Sequence, residues 1–437
     1  KEVSYNVNKK MKFSSALLSA TSFFSVSDIA IYAMNDDHDV SLRGSSDSVS
    51  ITSVNNNGLH FKSEKLNDYK ILTKTDSIAI ADFDNDGLMD IVMGKSKLWY
   101  GSNVVLFNKG HNLHFKQVQL PKLIPRGVPD AQNESASSFA IADFNNDGLM
   151  DIAASPSSTA GGKLYLNQGN GNFDVSYLPC HREGICGGFR SVFAADLNND
   201  GLVDIVTSDY DFVVLWNQGN GQFTPQRIPS QNNDLDFFTT NAPATIGDVN
   251  NDGFPDMVFS TGGDFDGRGS YQTKIQLMMN NGDGTFKEAV DLPGGYPDDV
   301  VPNVAVAKSM TLADIDNDGM LDIVAGYAGR ENKSQVLMNN GDGTFGDVYY
   351  LPKQEDYYDN GVLHVGDLNN DGFVDILAHK QVLLNNGDGT FAYPVDFKYP
   401  DSVFSLYIGD LSNDGNADII FGRHGATVVY INEGKKG

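Results

Sequence analysis

A ten-residue pattern, DFDNDGLMDI from Asp82 to Ile91, occurs in seven copies along the 437-residue chain. The other copies are DFNNDGLMDI from Asp143, DLNNDGLVDI from Asp196, DVNNDGFPDM from Asp248, DIDNDGMLDI from Asp314, DLNNDGFVDI from Asp367 and DLSNDGNADI from Asp410. Every copy places a carboxylate at positions one, five and nine, and all but the last carry Asp or Asn at position three. Glycine stands at six, where the backbone must turn with positive φ. Asn, Asp and Gly punctuate turns in any β-rich chain, so one copy would be ambiguous. Seven copies that all keep the ninth-position Asp exceed what turn chemistry asks for.

A hard cation takes six to eight oxygen ligands, and this spacing lets a short loop wrap around one, the seventh residue offering its backbone carbonyl. The expected Ca2+ ligands are Asp82, Asp84, Asp86, Leu88 and Asp90 in loop one, and Asp143, Asn145, Asp147, Leu149 and Asp151 in loop two. Loop three offers Asp196, Asn198, Asp200, Leu202 and Asp204, and loop four Asp248, Asn250, Asp252, Phe254 and Asp256. Loop five offers Asp314, Asp316, Asp318, Met320 and Asp322, and loop six Asp367, Asn369, Asp371, Phe373 and Asp375. Loop seven has Asp410, Ser412, Asp414, Asn416 and Asp418. Carboxylate count ranks loops one and five as the tightest sites and loop seven as the weakest.

The formal net charge is −26 and the pI near 4.4, so nucleic acid and anionic membrane are unfavourable partners. Seven divalent ions would add +14 and bring the charge to −12. Near the N-terminus, Lys9, Lys10 and Lys12 precede an apolar run from Phe13 to Val26, with small residues at Ser25, Ser27 and Ala33. That run is too short and polar to span a bilayer and reads as an export signal within residues 1–33. A secreted or surface-exposed chain is expected, with no membrane insertion. Export in turn suggests that Cys180 and Cys186, the only cysteines, form a disulfide across HREGI.

Residues 34–50 are polar and read as a flexible lead-in, so an ordered domain is expected over 51–437. Each repeat has one plan. A short apolar strand ends in a small residue before the loop, as in SIAIA to Ala81 or SLYIG to Gly409. After the loop come a strand such as DIVMG, a third such as KLYLN or VVLWN, a tight turn (NQGNG or NNGDG), and a fourth run opening on Phe173, Phe223, Phe286, Phe345 or Phe391. Four strands per 43 to 66 residues is the size of a propeller blade. The last repeat ends after VVYIN at Asn432 without its fourth strand, while NNNGLHF at residues 55–61 is an orphan of that type. The predicted fold is all-β, a seven-bladed propeller of four-stranded blades whose last blade is closed by the N-terminal strand.

The Asp loop, the small residue before it, the DI strand after it and the NNGDGTF turn together resemble the FG-GAP/VCBS repeat family over about residues 51–436. The resemblance implies a propeller related to that of integrin alpha subunits, with Ca2+ in the loop between strands one and two of each blade. Such repeats also occur in bacterial surface proteins, lectins and some polysaccharide lyases, so the family leaves function open.

In an antiparallel blade the turns after strands one and three share one end. The Asp loops and NGDG turns are therefore expected on one face, and the longer insertions on the other. Those insertions and blade ends hold Trp99, Tyr100, His181, Arg182, Phe237, Phe238, Asp264, Asp266, Arg268, Tyr296, Tyr357, Tyr358, Arg423 and His424. Aromatics beside charged groups suit a glycan or an extracellular protein. The leading expectation is a monomeric binding or adhesion module. A lyase-type enzyme, with His181 or His424 paired to Asp264, and a purely structural matrix component are the alternatives. No G-x-S-x-G, H-E-x-x-H, phosphate loop or dinucleotide fingerprint occurs.

Overall fold

The computed structural model describes residues 41–434 except 46–47, 55–59, 66–73, 97–101, 111–112, 124–134, 157–160, 180–190, 209–211, 229–242, 262–272, 297–306, 328–333, 353–360, 379–380, 393, 397–402 and 424–426. Among these residues every regular element is a strand. Seven antiparallel sheets form the blades, six of them built from four consecutive strands and the seventh from strands of both chain ends. Blade one comprises Lys74–Ala81, Asp90–Ser96, Ser102–Asn108 and Phe115–Gln119, and blades two to six follow in chain order from Ala136, Ser191, Ala244, Ala307 and Leu363. The first strand of each blade contacts that of the next, and the strand Val403–Gly409 of blade seven returns to Lys74–Ala81. The ring is closed.

Closure occurs where the sequence placed it, a few residues further on. His60–Lys65 pairs antiparallel with Val428–Asn432 and becomes the fourth strand of blade seven. Its register is dictated by a rule that all blades obey, in which the Phe opening strand four pairs with the Asn ending strand three. Phe61 pairs with Asn432 as Phe115 does with Asn108 and Phe223 with Asn217. Blades four and six keep only an isolated bridge there, Asn280 with Phe286 and Asn385 with Phe391, so their fourth strands begin later, at Val290 and Val395. In blade six Pro394, which has no N–H to donate, separates that bridge from the strand. Two more strands, Ser41–Ser45 and Ser48–Val54, extend blade seven outward to six strands. Residues 41–45 and 48–50 of the segment read as a flexible lead-in are therefore strand, while 34–40 lie outside the described residues.

The core lies between blades. The second residue of each Asp loop, among them Phe83, Phe144, Leu197 and Ile315, is buried at the contact with the following blade. Phe83 meets Phe173 edge to face at 6.3 Å, and Phe144 meets Phe223 at 6.0 Å. Inner-strand serines cross the same boundary: Ser77 Oγ donates to the Ala136 carbonyl at 2.8 Å and Ser309 Oγ to that of Gly361 at 2.7 Å. The small residue before each loop has a steric cause. A Cβ on Gly409 would lie 2.3 Å from Ile80 Cδ1 of blade one.

A second inter-blade link repeats seven times. The Asn that ends strand three donates Nδ2 to the second-position carbonyl of the preceding blade's Asp loop, as Asn167 does to Phe83 (2.7 Å) and Asn339 to Val249 (2.7 Å). Asn108 closes the circle by donating to Leu411 of blade seven at 2.8 Å. The same Nδ2 reaches the eighth-position carbonyl of its own loop, and Oδ1 accepts the amide two residues on, as from Gly341 to Asn339. Each of these asparagines is buried, with both Nδ2 hydrogens bonded.

Asn339→Ala should cost about 2–4 kcal/mol, because it strands one buried carbonyl together with a partly buried carbonyl and amide, whereas Asn340→Ala on the exposed turn should cost under about 1 kcal/mol. Phe61→Ala, which empties a core position in the closing strand, should cost about 3–5 kcal/mol. Denaturant unfolding measures all three.

Candidate metal centres

Each Asp loop is an eight-residue connection between the pre-loop residue and the ninth-position Asp, which opens strand two. Its fold is written in backbone-to-carboxylate hydrogen bonds. The first Asp accepts the amides of positions five and six, one on each oxygen, as Asp82 does from Asp86 (3.1 Å) and Gly87 (2.8 Å). The fifth Asp accepts the amide of position seven, as Asp86 does from Leu88 at 3.0 Å. This arrangement recurs in every loop, through Asp143, Asp196, Asp248, Asp314, Asp367 and Asp410 at position one. The fourth residue is Asn in all seven and sits at φ between 54° and 62°. Asn85 donates across to the Gly148 carbonyl of the next loop at 3.1 Å, and Asn199 to that of Gly253 at 2.9 Å.

The ninth Asp is the buried anchor. Asp90 accepts the Phe83 amide (2.9 Å) on one oxygen and the Asn108 amide (2.7 Å) on the other, tying the loop to strand three. Asp151, Asp204, Asp256, Asp322, Asp375 and Asp418 repeat both bonds. Burial raises Asp90 and Asp151 to about 7 and the other five to about 6; the amide bonds oppose the rise and nearby loop carboxylates add to it.

The third position separates the loops. In loops two, three and four the Asn side chain satisfies itself, Asn145 accepting the Asp147 amide on Oδ1 and donating Nδ2 to Asp147 Oδ2, and Asn198 and Asn250 doing likewise. In the other four loops Asp84 Oδ1, Asp316 Oδ1, Asn369 Oδ1 and Ser412 Oγ are buried without a hydrogen-bond partner. Carboxylate oxygens converge within 4.8 Å for Asp82, Asp84 and Asp86, and for Asp314, Asp316 and Asp322. These are the two four-carboxylate loops. An all-oxygen donor set with partnerless inward oxygens fits a hard divalent cation.

In six of the seven blades the seventh residue lays its side chain against the strand three–four turn. A Cβ on Gly282 would come within 2.5 Å of the Phe254 ring, which holds that turn, at φ +74°, to glycine. Loop and turn therefore pack together at one end of these six blades. Of the residues expected on the opposite face, Tyr296 ends strand four of blade four and Arg423 ends strand two of blade seven. Trp99, Tyr100, His181, Arg182, Phe237, Phe238, Asp264, Asp266, Arg268, Tyr357, Tyr358 and His424, together with Cys180 and Cys186, lie outside the described residues. The strand-three asparagines are the functional residues that sequence reasoning missed. Their signal was present, since all seven third strands end in Asn, but it was absorbed into the turn motif.

A profile of the FG-GAP-like repeat matches residues 143–207, 196–259, 248–325 and 314–378. A search of curated proteins gave no match. Among solved structures, the chain is similar to a lectin from Agrocybe aegerita that recognises non-reducing terminal N-acetylglucosamine, at TM-score 0.57 and 20% identity, over 92% of this chain and 96% of the lectin. It is also similar to the BP39L lectin from Burkholderia pseudomallei, at TM-score 0.51 and 10% identity, over 83% and 97% of the two chains. At these identities the likeness is one of fold. With four matched repeats spanning residues 143–378 and the same blade built seven times, the chain belongs to the FG-GAP-like repeat family.

Proposed function

We propose that this chain is a secreted or surface-exposed, calcium-stabilised binding module, and that its partner is a glycan or an extracellular protein held on the face opposite the Asp loops. One observation carries the reading. The Asp loop is eight residues long in every blade, while the turn at the other end, between strands two and three, runs from two residues between Ala378 and Gln381 to eleven between Thr261 and Thr273. Constant length at one end belongs to a scaffold that a single geometry must satisfy. Variable length at the other end is what recognition surfaces display. Similarity in fold to two lectins along most of their length supports a glycan as the first partner to test.

Calcium in this reading holds the blades and neutralises carboxylates that the fold crowds together. Because the ninth-position acids titrate above their ordinary 3.8, the folded chain binds more protons than the unfolded one between 3.8 and about 7. Without a cation, this contribution to stability is present at low pH and is lost as pH rises through that window. A bound cation favours the ionised form and reverses the trend. The difference in Tm between calcium and chelator should therefore widen from about pH 5 to about pH 7.5. An absent or narrowing difference contradicts the reading.

A glycan array probed with and without calcium, with product analysis of bound polysaccharides, tests the partner. Retention without turnover, lost in chelator as the blades loosen, is expected. Cleaved product would make the chain an enzyme, and silence across glycans would move the search to extracellular proteins.

A further inference from the structure

Loop one differs from the other six in a contact that crosses its own blade. Lys109, the residue after the strand-three Asn, donates Nζ to Asp84 and, at 3.2 Å, to Asp86 Oδ2, with the ammonium 5.6 Å from the Phe107 ring centroid. Burial lowers the lysine's proton affinity, but the two aspartates outweigh it and hold the group above its ordinary range. Elsewhere this position turns away from the loop. Gln168 and Gln218 donate to carbonyls two residues back, and Asn281, Asn340 and Asn386 donate to Thr285, Thr344 and Thr390 in their own turns. Blade seven has an acid there, Glu433.

The ammonium stands where loop one gathers its oxygens, since Asp82, Asp84 and Asp86 converge within 4.8 Å. It is a poor substitute for a divalent ion. It carries half the charge and donates a few directional hydrogen bonds, and it leaves Asp84 Oδ1 buried without a partner. A calcium ion entering loop one must displace it, whereas loop five, with the same four carboxylates, has Asn340 bound to its own turn and no such side chain to expel.

We infer that Lys109 is a resident counter-cation that competes with calcium for Asp84 and Asp86, so that loop one binds calcium more weakly than loop five despite an equal carboxylate count. The ranking by carboxylate number alone breaks at loop one. The inference rests on the calcium reading of the loops and adds to it a loop whose charge is partly offset when calcium is scarce.

Hydrogen exchange of the full chain, followed at residues 82–90 and 314–322 as calcium is raised, tests it in wild type, K109Q and K109R. In wild type the 314–322 segment should gain protection at about tenfold lower calcium than 82–90, the scale expected of one nearby, partly exposed charge. In K109Q the 82–90 midpoint should fall toward that of 314–322, which stays in place, while K109R, keeping the charge, retains the wild-type gap. Coincident midpoints in wild type, or an 82–90 midpoint unmoved in K109Q, overturn the inference and leave the calcium reading standing. Absence of any calcium response in any loop overturns the calcium reading and the inference with it.

Discussion

Each blade is fastened to its neighbour by a two-step hydrogen-bond relay between a buried carboxylate and a buried amide side chain. The ninth-position Asp receives the amide of its loop's second residue, and the carbonyl of that same residue receives Nδ2 of the next blade's strand-three Asn. That Asn in turn offers its own amide to the next ninth-position Asp. Repeated seven times and closed from Asn108 to Leu411, the relay leaves no blade boundary to apolar packing alone. Its members are nearly inaccessible to water, so each unmet bond would carry the full cost of desolvation.

The relay explains why the pattern tolerates change at some positions and not at others. The third position varies between Asp, Asn and Ser because its side chain carries none of the bonds that join one blade to the next. The ninth stays Asp because a carboxylate accepts one amide on each oxygen, from the loop and from strand three, while opening strand two. The same requirement concentrates acids in a buried place, which is why these groups titrate so high. A cation in the loop would relieve that cost, whereas Lys109 meets only the third- and fifth-position acids of loop one and leaves Asp90 raised to about 7.

Much of this was legible in the residues. The repeated loop, the four strands, the seventh blade's missing strand and its N-terminal replacement all follow from local patterns, because β-strand alternation and positive-φ glycines leave marks within ten residues. The exact closing strand was less legible. The orphan run ended at Phe61, yet the strand begins at His60 and continues to Lys65, because a strand paired on both sides takes its bounds from its partners and not from its own composition. The strand-three asparagines looked like turn residues, since their partners lie about 64 to 90 residues away, or 303 at the closure, and no local pattern reports that distance. Of the recognition candidates, sequence supplied residue types only; most lie in connections outside the described residues.

By itself the sequence determined the blade and the number of blades, because each is a local consequence of a repeat whose period and turn chemistry are written in consecutive residues. It also determined the oxygen-only chemistry of the Asp loops. Only the tertiary structure decided how blades are joined, which loop oxygens are left without partners and which loop already holds a positive charge. Those depend on side chains brought together by strand pairing and ring closure. Lys109 is 23 residues from Asp86 in the chain, and only the hairpin that folds strand three back along strand two puts its ammonium against that carboxylate.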